Sequence, residues 1–226
     1  MFLQDLVTEP AAAAETPQSL WSIIMNSGSG SIIILGILFL MFAFMVYLFV
    51  ERLTTIKKAS QEDSSFMAPI RHHIHDGKID SAVRLCEQTD TPSARMVGKG
   101  ISRIGRPMND LSVAVENVGN IEVAKLEKGL VILASIAGGA PMLGFLGTVT
   151  GMFATFQSMA AKAGGVVNLQ DLSSGMYQAM LTTIAGLIVG IIAYFAYNYL
   201  VSQIDSVVRK LESRTMEFLD LLNEPA

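Results

Sequence analysis

The chain has 226 residues, of which 51% are hydrophobic and only 16% are charged, and its mean hydropathy is +0.46. This composition excludes an ordinary water-soluble domain and favours a membrane protein. The net charge of −4 is uninformative by itself, because the information lies in how the charges are distributed along the chain.

The first thirty residues contain no Lys or Arg, so they lack the basic region of a secretory signal. Thr16 and Pro17 favour the start of a short interfacial helix that carries Trp21, an aromatic residue typical of membrane interfaces. Gly28-Ser29-Gly30 is expected to end this helix. The apolar segment that follows, residues 31–50, is long enough to cross the hydrocarbon core of a bilayer.

The segment 51–128 is polar and holds twelve of the sixteen Lys and Arg residues. Gly77, Thr91-Pro92 and Pro107 divide it into predicted helices. Asn109 or Asp110 is expected to cap the last of these helices. Because no strong stop signal follows, we expect that helix to continue without interruption into the second span.

Two further apolar segments, 129–159 and 175–201, are predicted spans, and the loop between them has Lys162 as its single basic residue. The positive-inside rule then places residues 51–128 and the basic tail in the cytoplasm and the N-terminus outside. The tail carries an apolar helical stripe that needs a partner, supplied by the middle segment or by another subunit. The predicted segments are an outer segment with an interfacial helix (1–30), a first span (31–50), a cytoplasmic helical region (51–128), a second span (129–159), an outer loop (160–174), a third span (175–201) and a cytoplasmic helix (202–226).

The second span carries small and mildly polar residues at helical spacing. Pro141 removes one backbone hydrogen bond from this helix and frees a carbonyl near Ala137. Such a stripe is typical of close helix packing or of a pore lining, and its threonines are able to bond back to their own helix, which spacing alone favours. The stripe consists of Ala137, Pro141, Gly144, Thr148, Met152 and Thr155.

The third span has two faces of different character. Thr183 shares one face with Ala179 and Leu187, which we take as packing or pore-lining residues. Gln178 and Thr182 share another face. A Gln at bilayer depth is costly without a partner, so we predict an intramembrane polar contact there. An interhelical hydrogen bond that fixes subunit packing is favoured over a transport role.

Neither of these two spans contains Asp, Glu, Lys, Arg or His. A protein that moves protons by itself would place a titratable group there, so a proton carrier must come from another chain. His72, His73 and His75 are interpreted as solvated surface residues, and the single Cys86 as a reduced thiol. We find no catalytic pattern, and we expect no enzyme activity, cofactor, metal or nucleic-acid partner.

Two motifs resemble those of the ExbB/TolQ/MotA family. Residues 140–152 read APMLGFLGTVTGM, similar to the second-span motif, and residues 175–187 read GMYQAMLTTIAGL, similar to the third-span motif, with Tyr197-Asn198 following. Residues 77–86, GKIDSAVRLC, resemble the ExbB-like branch. The resemblance covers about residues 20–215.

This resemblance implies an all-α membrane protein with three transmembrane helices and long cytoplasmic helical extensions. It implies a homopentameric ring, in the bacterial inner membrane, around two copies of an ExbD/TolR-like single-span partner whose Asp carries protons. Thr148 and Thr183 match the threonines that line the proton route. Gln178 stands where enteric ExbB and TolQ proteins have Glu, which fits a chain without a membrane carboxylate. The resemblance also implies that the mechanical work driven by the protons passes to a TonB-like periplasm-spanning protein.

Two other functional classes remain open at this point. A stator for Tol-type envelope maintenance or for motility would share every membrane feature. A structural membrane scaffold or a small-solute channel would differ in being active without an Asp-bearing partner.

Overall fold

The computed structural model describes residues 29–61, 66–161 and 169–223. Every regular element within these ranges is an α-helix, which confirms the all-α prediction. In chain order they are α1 (Ser29–Ser60), α2 (Met67–His75), α3 (Ile79–Gln88), α4 (Pro92–Ile101), α5 (Met108–Glu127), α6 (Leu130–Ala161) and α7 (Leu169–Asn223).

Three apolar helical stretches are long enough to cross a membrane, as the hydropathy pattern predicts. They are Gly30–Ser60, Met108–Ala161, which includes a short break, and Leu172–Asn223. Helix α7 alone has 55 residues, which is about 80 Å at ~1.5 Å per residue. A hydrocarbon core is about 30 Å thick, so much of α7 extends beyond any membrane that it crosses.

The predicted uninterrupted helix from the polar segment into the second span is wrong. Helix α5 ends at Glu127, and α6 begins at Leu130. Between them Lys128 has an extended ψ of 127°, and Gly129 has a φ of +87°. Gly129 adopts this left-handed conformation without the steric cost that a side chain would add, so the chain breaks between the two helices at this residue.

The other boundary signals have mixed outcomes. The Thr91 side chain accepts a hydrogen bond from Ala94 N and caps α4, and Gly77, with a φ of +72°, follows α2, as expected. The predicted capping by Asn109 or Asp110 is wrong, because α5 begins at Met108 and Pro107 occupies the cap position. The predicted outer loop 160–174 is too long, since α6 continues to Ala161 and α7 begins at Leu169. The helix around Trp21 and residues 162–168 lie outside the described residues.

The chain divides into two compact units by its internal contacts. The bundle unit comprises residues 39–141 and 187–226, and the paired-span unit comprises the described residues of 1–38 and 142–186. The bundle unit contains α2 to α5, and its core is filled by large apolar side chains, including Ile56, Ile70, Val97 and Val115.

The apolar stripe of α7 finds its partner inside the same chain. Leu211 and Phe218 are buried in the core of the bundle unit, together with residues from the middle segment. The Phe218 ring occupies the space that a side chain at Gly100 would take. The middle segment therefore supplies the predicted partner for this part of the stripe.

Candidate functional site

In the paired-span unit, α6 and α7 approach each other through glycines. A Cβ atom at Gly144 would lie 2.9 Å from the backbone oxygen of Thr182 and 3.1 Å from the Cα atoms of Thr183 and Gly186. A Cβ at Gly151 would lie 3.2 Å from the Cβ of Ala179, and one at Gly147 would collide with the Thr182 side chain. The two backbones therefore touch where a side chain would not fit, as in small-residue helix packing.

The contact of α6 with α7 overlaps the sequence-derived stripe in part. It includes Gly144 and Thr155 of that stripe and adds Gly147 and Gly151, whereas Met152 is 39% exposed. The spacing of these glycines, three and four residues apart, was the available signal, since both intervals bring residues to one helix face. Gly144 lies against Thr182, Thr183 and Gly186 of α7, and Ala179 lies against Gly151 of α6. Leu187 is 45% exposed in the single chain.

Two threonines of α7 bond across this contact. The Thr183 hydroxyl donates to the carbonyl oxygen of Gly144 at 3.1 Å. The fully buried Thr182 hydroxyl lies 2.7 Å from Ala179 O in its own helix and 3.4 Å from Gly144 O. The Gly144 carbonyl is thus the point where both hydroxyls meet α6.

The threonines of α6 bond to their own helix. Thr148 Oγ1 donates to Phe145 O at 2.6 Å, and Thr155 Oγ1 donates to Gly151 O at 2.8 Å. Thr148 follows Gly144 by one helical turn and is half-buried. The Thr155 side chain also fills the space beside Gly175 of α7. Back-bonding, which the spacing alone favoured, is therefore how these two hydroxyls are satisfied.

Gln178 differs from these hydroxyls. Its side chain is half-buried, and its Nε2 atom is inaccessible to solvent and has no hydrogen-bond partner in the described part of the chain. A buried donor without an acceptor costs about 1–3 kcal/mol. The predicted interhelical hydrogen bond of Gln178 is therefore not made within the described residues, and a partner from another chain stays a prediction.

Pro141 lies in the bundle unit, where it packs against α7. A Cβ at Gly190 would lie 2.6 Å from Pro141 Cδ and 3.1 Å from Ala137 O. Pro141 has no N–H to donate to the Ala137 carbonyl, which fits the expected loss of one helix bond there. Gly190 lets the α7 backbone approach this carbonyl closely.

The described residues of the polar segment were predicted to hold solvated histidines and a reduced thiol. No group of three metal-ligating side chains occurs in residues 29–61, 66–161 and 169–223. His72 and His75 are exposed, as expected, while His73 is half-buried. Cys86 is buried against Gly98, and burial raises its pKa to about 11. Such a thiol stays protonated and unreactive near neutral pH.

The sequence of the chain is similar to those of known proteins. Residues 88–213, more than half of the chain, match the MotA/TolQ/ExbB proton channel family. The putative biopolymer transport protein ExbB homolog of Methanothermobacter thermautotrophicus is 28% identical over 180 residues, which cover 78% of this chain and 63% of that protein. The biopolymer transport protein ExbB of Aquifex aeolicus is 38% identical over 103 residues, covering 45% of this chain and 68% of that protein.

The Tol-Pal system protein TolQ of Haemophilus influenzae is 31% identical over 107 residues, covering 47% of this chain and 46% of that protein. The chain thus spans less than two thirds of the length of the Methanothermobacter and Haemophilus relatives. The family match includes α6, and it includes α7 as far as residue 213, so it contains every contact of the paired-span unit described above. The chain belongs to the MotA/TolQ/ExbB proton channel family.

Proposed function

We propose that this chain is the ring-forming stator subunit of a motor that the proton-motive force drives in the inner membrane. Its partner would be an ExbD/TolR-like single-span protein whose membrane Asp binds the proton, and copies of this chain would form a pentameric ring. One observation carries the proposal. The contact of α6 with α7 holds threonine hydroxyls, yet α6 and residues 172–201 contain no Asp, Glu, Lys, Arg or His.

The hydroxyls of Thr148 and Thr183 suit a proton carrier from another chain. Each donates its proton to a backbone carbonyl, of Phe145 and Gly144 respectively, and keeps lone pairs that accept a hydrogen bond. A protonated carboxyl could donate to such a lone pair. An ionised carboxylate could instead accept a hydrogen bond from the hydroxyl, which would then turn away from its backbone carbonyl. The same two residues would therefore serve both states of the partner Asp.

The energy for this cycle comes from the membrane potential, about 2.3 kcal/mol for each charge per 100 mV. Alternation of the two states of the Asp would displace or rotate the partner pair within the ring. We propose that the displacement is passed to a TonB-like periplasm-spanning protein that energises outer-membrane transport. The names of the relatives from Methanothermobacter and Aquifex, which refer to biopolymer transport, support this choice.

Valine substitutions test the proton route, because valine keeps the shape of threonine and removes the hydroxyl. We expect Thr148→Val and Thr183→Val to assemble with an ExbD-like partner and to slow partner-dependent proton flux into proteoliposomes. A lost hydrogen bond to a carboxyl is worth about 1.5–3 kcal/mol, or roughly one to two decades in rate. Thr150→Val is the matched control, since Thr150 also back-bonds, at 2.9 Å to Leu146 O, and is exposed.

The outcome decides between functional classes. Full flux in the Thr148→Val/Thr183→Val double variant would contradict the proton-route role. Thr183→Val also removes a bond to α6, so ring assembly with the partner is measured beside the flux. A small-solute channel would conduct in proteoliposomes that lack the partner. A structural scaffold would conduct neither with the partner nor without it.

A TolQ-like role in envelope maintenance is the second candidate, favoured by the match to the TolQ protein of Haemophilus influenzae. Complementation separates the two roles. Rescue of TonB-dependent uptake in a strain without its own ExbB would support the first proposal. Rescue of only the detergent sensitivity of a strain without TolQ would support the second.

The proposed orientation places the N-terminus in the periplasm and residues 51–128 and the C-terminus in the cytoplasm. Native Cys86 is a poor reporter, because it is buried and its pKa is raised to about 11. We therefore expect Ser81→Cys, on an exposed site of α3, to react with an impermeant maleimide only after the cells are permeabilised, in a Cys86→Ala background.

Ser158→Cys, exposed near the end of α6, serves as the opposite reporter and should react in intact cells. The reverse labelling pattern would show the opposite topology and would contradict the orientation predicted from the charge distribution. Labelling of both sites in intact cells would instead indicate leaky cells, which a cytoplasmic marker protein checks.

A further inference from the structure

Arg52 of α1 lies at the break between α5 and α6, inside the bundle unit. Its side chain is only 12% exposed. Its Nη2 atom donates to Glu51 Oε1 at 3.0 Å, and its Nη1 atom donates to the backbone oxygen of Lys125 at 3.5 Å. A Cβ at Gly129 would lie 3.4 Å from Arg52 Nε and 3.9 Å from a Leu48 methyl carbon.

The acceptor of this bond explains why an arginine is useful here. In a continuous helix the Lys125 carbonyl would accept from the N–H of residue 129. The backbone break at Lys128 and Gly129 ends that ladder, and the last carbonyls of α5 need other donors. A guanidinium is a suitable donor at a helix C-terminus, because its positive charge also faces the negative end of the helix dipole.

Each side of the break is anchored separately. On the α5 side, the buried Glu122 carboxylate pairs with Arg95 and with Lys125, both at 2.7 Å. On the α6 side, the N–H groups of Ile132 and Leu133 bond to Gly129 O at 3.1 and 3.3 Å, which starts the new helix. Arg52 itself joins α1 to the α5 side of the break through a long hydrogen bond of 3.5 Å to Lys125 O. Its buried Nε, which lies beside Gly129, has no partner within the described part of the chain.

We infer that Arg52 is a positioning residue that fixes the direction in which α6 leaves α5. The inference goes beyond the proposed function, because it concerns only the geometry of this chain. Arg52 replaces the missing backbone bond at Lys125, and Gly129 leaves room for the guanidinium. Without Arg52, the break has no side-chain donor on the Lys125 carbonyl, and α6 would take a wider range of directions.

The test measures distances between spin labels on either side of the break, at Asn117 of α5 and Ser135 of α6, both exposed. The full chain is used in a Cys86→Ala background, in lipid nanodiscs, mixed with an excess of unlabelled chain to suppress distances between copies. We expect a narrow distance distribution for the unmodified break. Arg52→Gln should broaden the distribution or shift its mean, with little change in the thermal unfolding midpoint.

Lys57→Gln is the matched control, since it removes a positive charge from an exposed position on the same helix. Arg52→Lys should give an intermediate distribution, because one ammonium cannot span both Glu51 and Lys125 O as the planar guanidinium does. Gly129→Ala should move the mean toward the about 27 Å of a continuous helix, since Ala disfavours a positive φ.

An unchanged distribution in Arg52→Gln would overturn the inference. A lower unfolding midpoint with an unchanged distribution would also overturn it, because Arg52 would then only stabilise the bundle unit. If Arg52→Gln does not fold, Arg52→Lys decides by the same criterion. Proton flux in the threonine variants is unaffected by this result, so the two proposals fail separately.

Discussion

The bundle unit and the paired-span unit hold their helices together in different ways. The bundle unit buries large side chains, with Phe218, Ile70 and Ile101 almost completely covered. The paired-span unit joins α6 to α7 through Gly144, Gly147 and Gly151, where backbone meets backbone or a small side chain. In water, each Å² of buried apolar surface contributes about 25 cal/mol. Lipid offers no comparable gain, so helices within it associate through close approach and hydrogen bonds.

The two units also satisfy polar groups differently. In the bundle unit the buried Glu122 carboxylate is met by two cationic side chains. In the paired-span unit the threonine hydroxyls donate to helix carbonyls, and the Gln178 amide nitrogen has no partner in the part of the chain that the structure describes. Each unit keeps a buried nitrogen without a partner among the described residues, Arg52 Nε and His73 Nδ1 in the bundle unit and Gln178 Nε2 in the paired-span unit. The units differ in that the bundle unit pairs a buried carboxylate with charges, whereas the paired-span unit relies on neutral donors.

The largest expected effect is in the core of the bundle unit. Phe218→Ala removes a fully buried ring that packs beside Gly100 in the core of the bundle unit, and we expect the free energy of unfolding to fall by about 3–5 kcal/mol. Met216→Ala, two residues away and 66% exposed, is the matched control and should change it by less than about 0.5 kcal/mol. Thermal unfolding followed by circular dichroism in detergent measures both.

Equal effects of these two substitutions would mean that the buried face of α7 is not the one that holds the bundle unit together. The statement that large buried side chains hold the bundle unit together would then be wrong.

Glycine to alanine substitutions in α6 should change the free energy of unfolding by a smaller amount. Whether the change is a loss or a gain depends on the position. At Gly144 the new Cβ would lie 2.9 Å from a backbone oxygen of α7, so we expect a loss of about 1–3 kcal/mol. At Gly138 nothing lies within 4 Å, and alanine should stabilise the helix by about 0.5–1 kcal/mol. The same unfolding measurement distinguishes the signs, and stabilisation by Gly144→Ala would show that α6 and α7 are not in close contact.

Much of the fold followed from the sequence, because hydropathy sets the spans and glycine and proline set most helix ends. The break at Lys128 and Gly129 was missed, since a glycine inside a helical pattern is compatible with either a continuous helix or a left-handed turn. The sequence left two candidate partners for the apolar stripe of α7, the middle segment and another subunit. Helical spacing shows which face of α7 needs to be covered but not which element covers it.

The candidate site was predicted less completely. The predicted stripe of α6 contains Gly144 and Thr155, which lie against α7, but it includes the exposed Met152 and omits Gly147 and Gly151. Both choices obey helical periodicity, and only the course of α7 distinguishes them. The hydrogen bond from Thr183 to Gly144 O could not be predicted either, because it depends on how close the two backbones come.

The smallest expected effect concerns Gln178, and it tests whether the paired-span unit needs a second chain. Gln178→Met keeps the length of the side chain and removes the buried Nε2 donor. Within a single dispersed chain this donor has no acceptor among the described residues, so its removal should leave the unfolding free energy unchanged or raise it by about 1 kcal/mol. If a neighbouring copy supplies the acceptor, the same substitution should weaken assembly by about 0.5–1.5 kcal/mol per contact.

The unfolding free energy of the dispersed chain is therefore expected to stay the same or to rise, while the free energy of assembly weakens. A packing defect would instead lower both. Thermal unfolding of the dispersed chain gives the first, and sedimentation of the assembled protein gives the second. Gln157→Met, at an exposed position of α6, is the matched control and should change neither. We expect partner-dependent proton flux to be partly retained, because Gln178 has no ionisable proton.

If Gln178→Met lowers the unfolding free energy of the dispersed chain by more than about 1 kcal/mol, Gln178 already has its partner within the chain. The argument that this surface is completed by assembly would then be wrong.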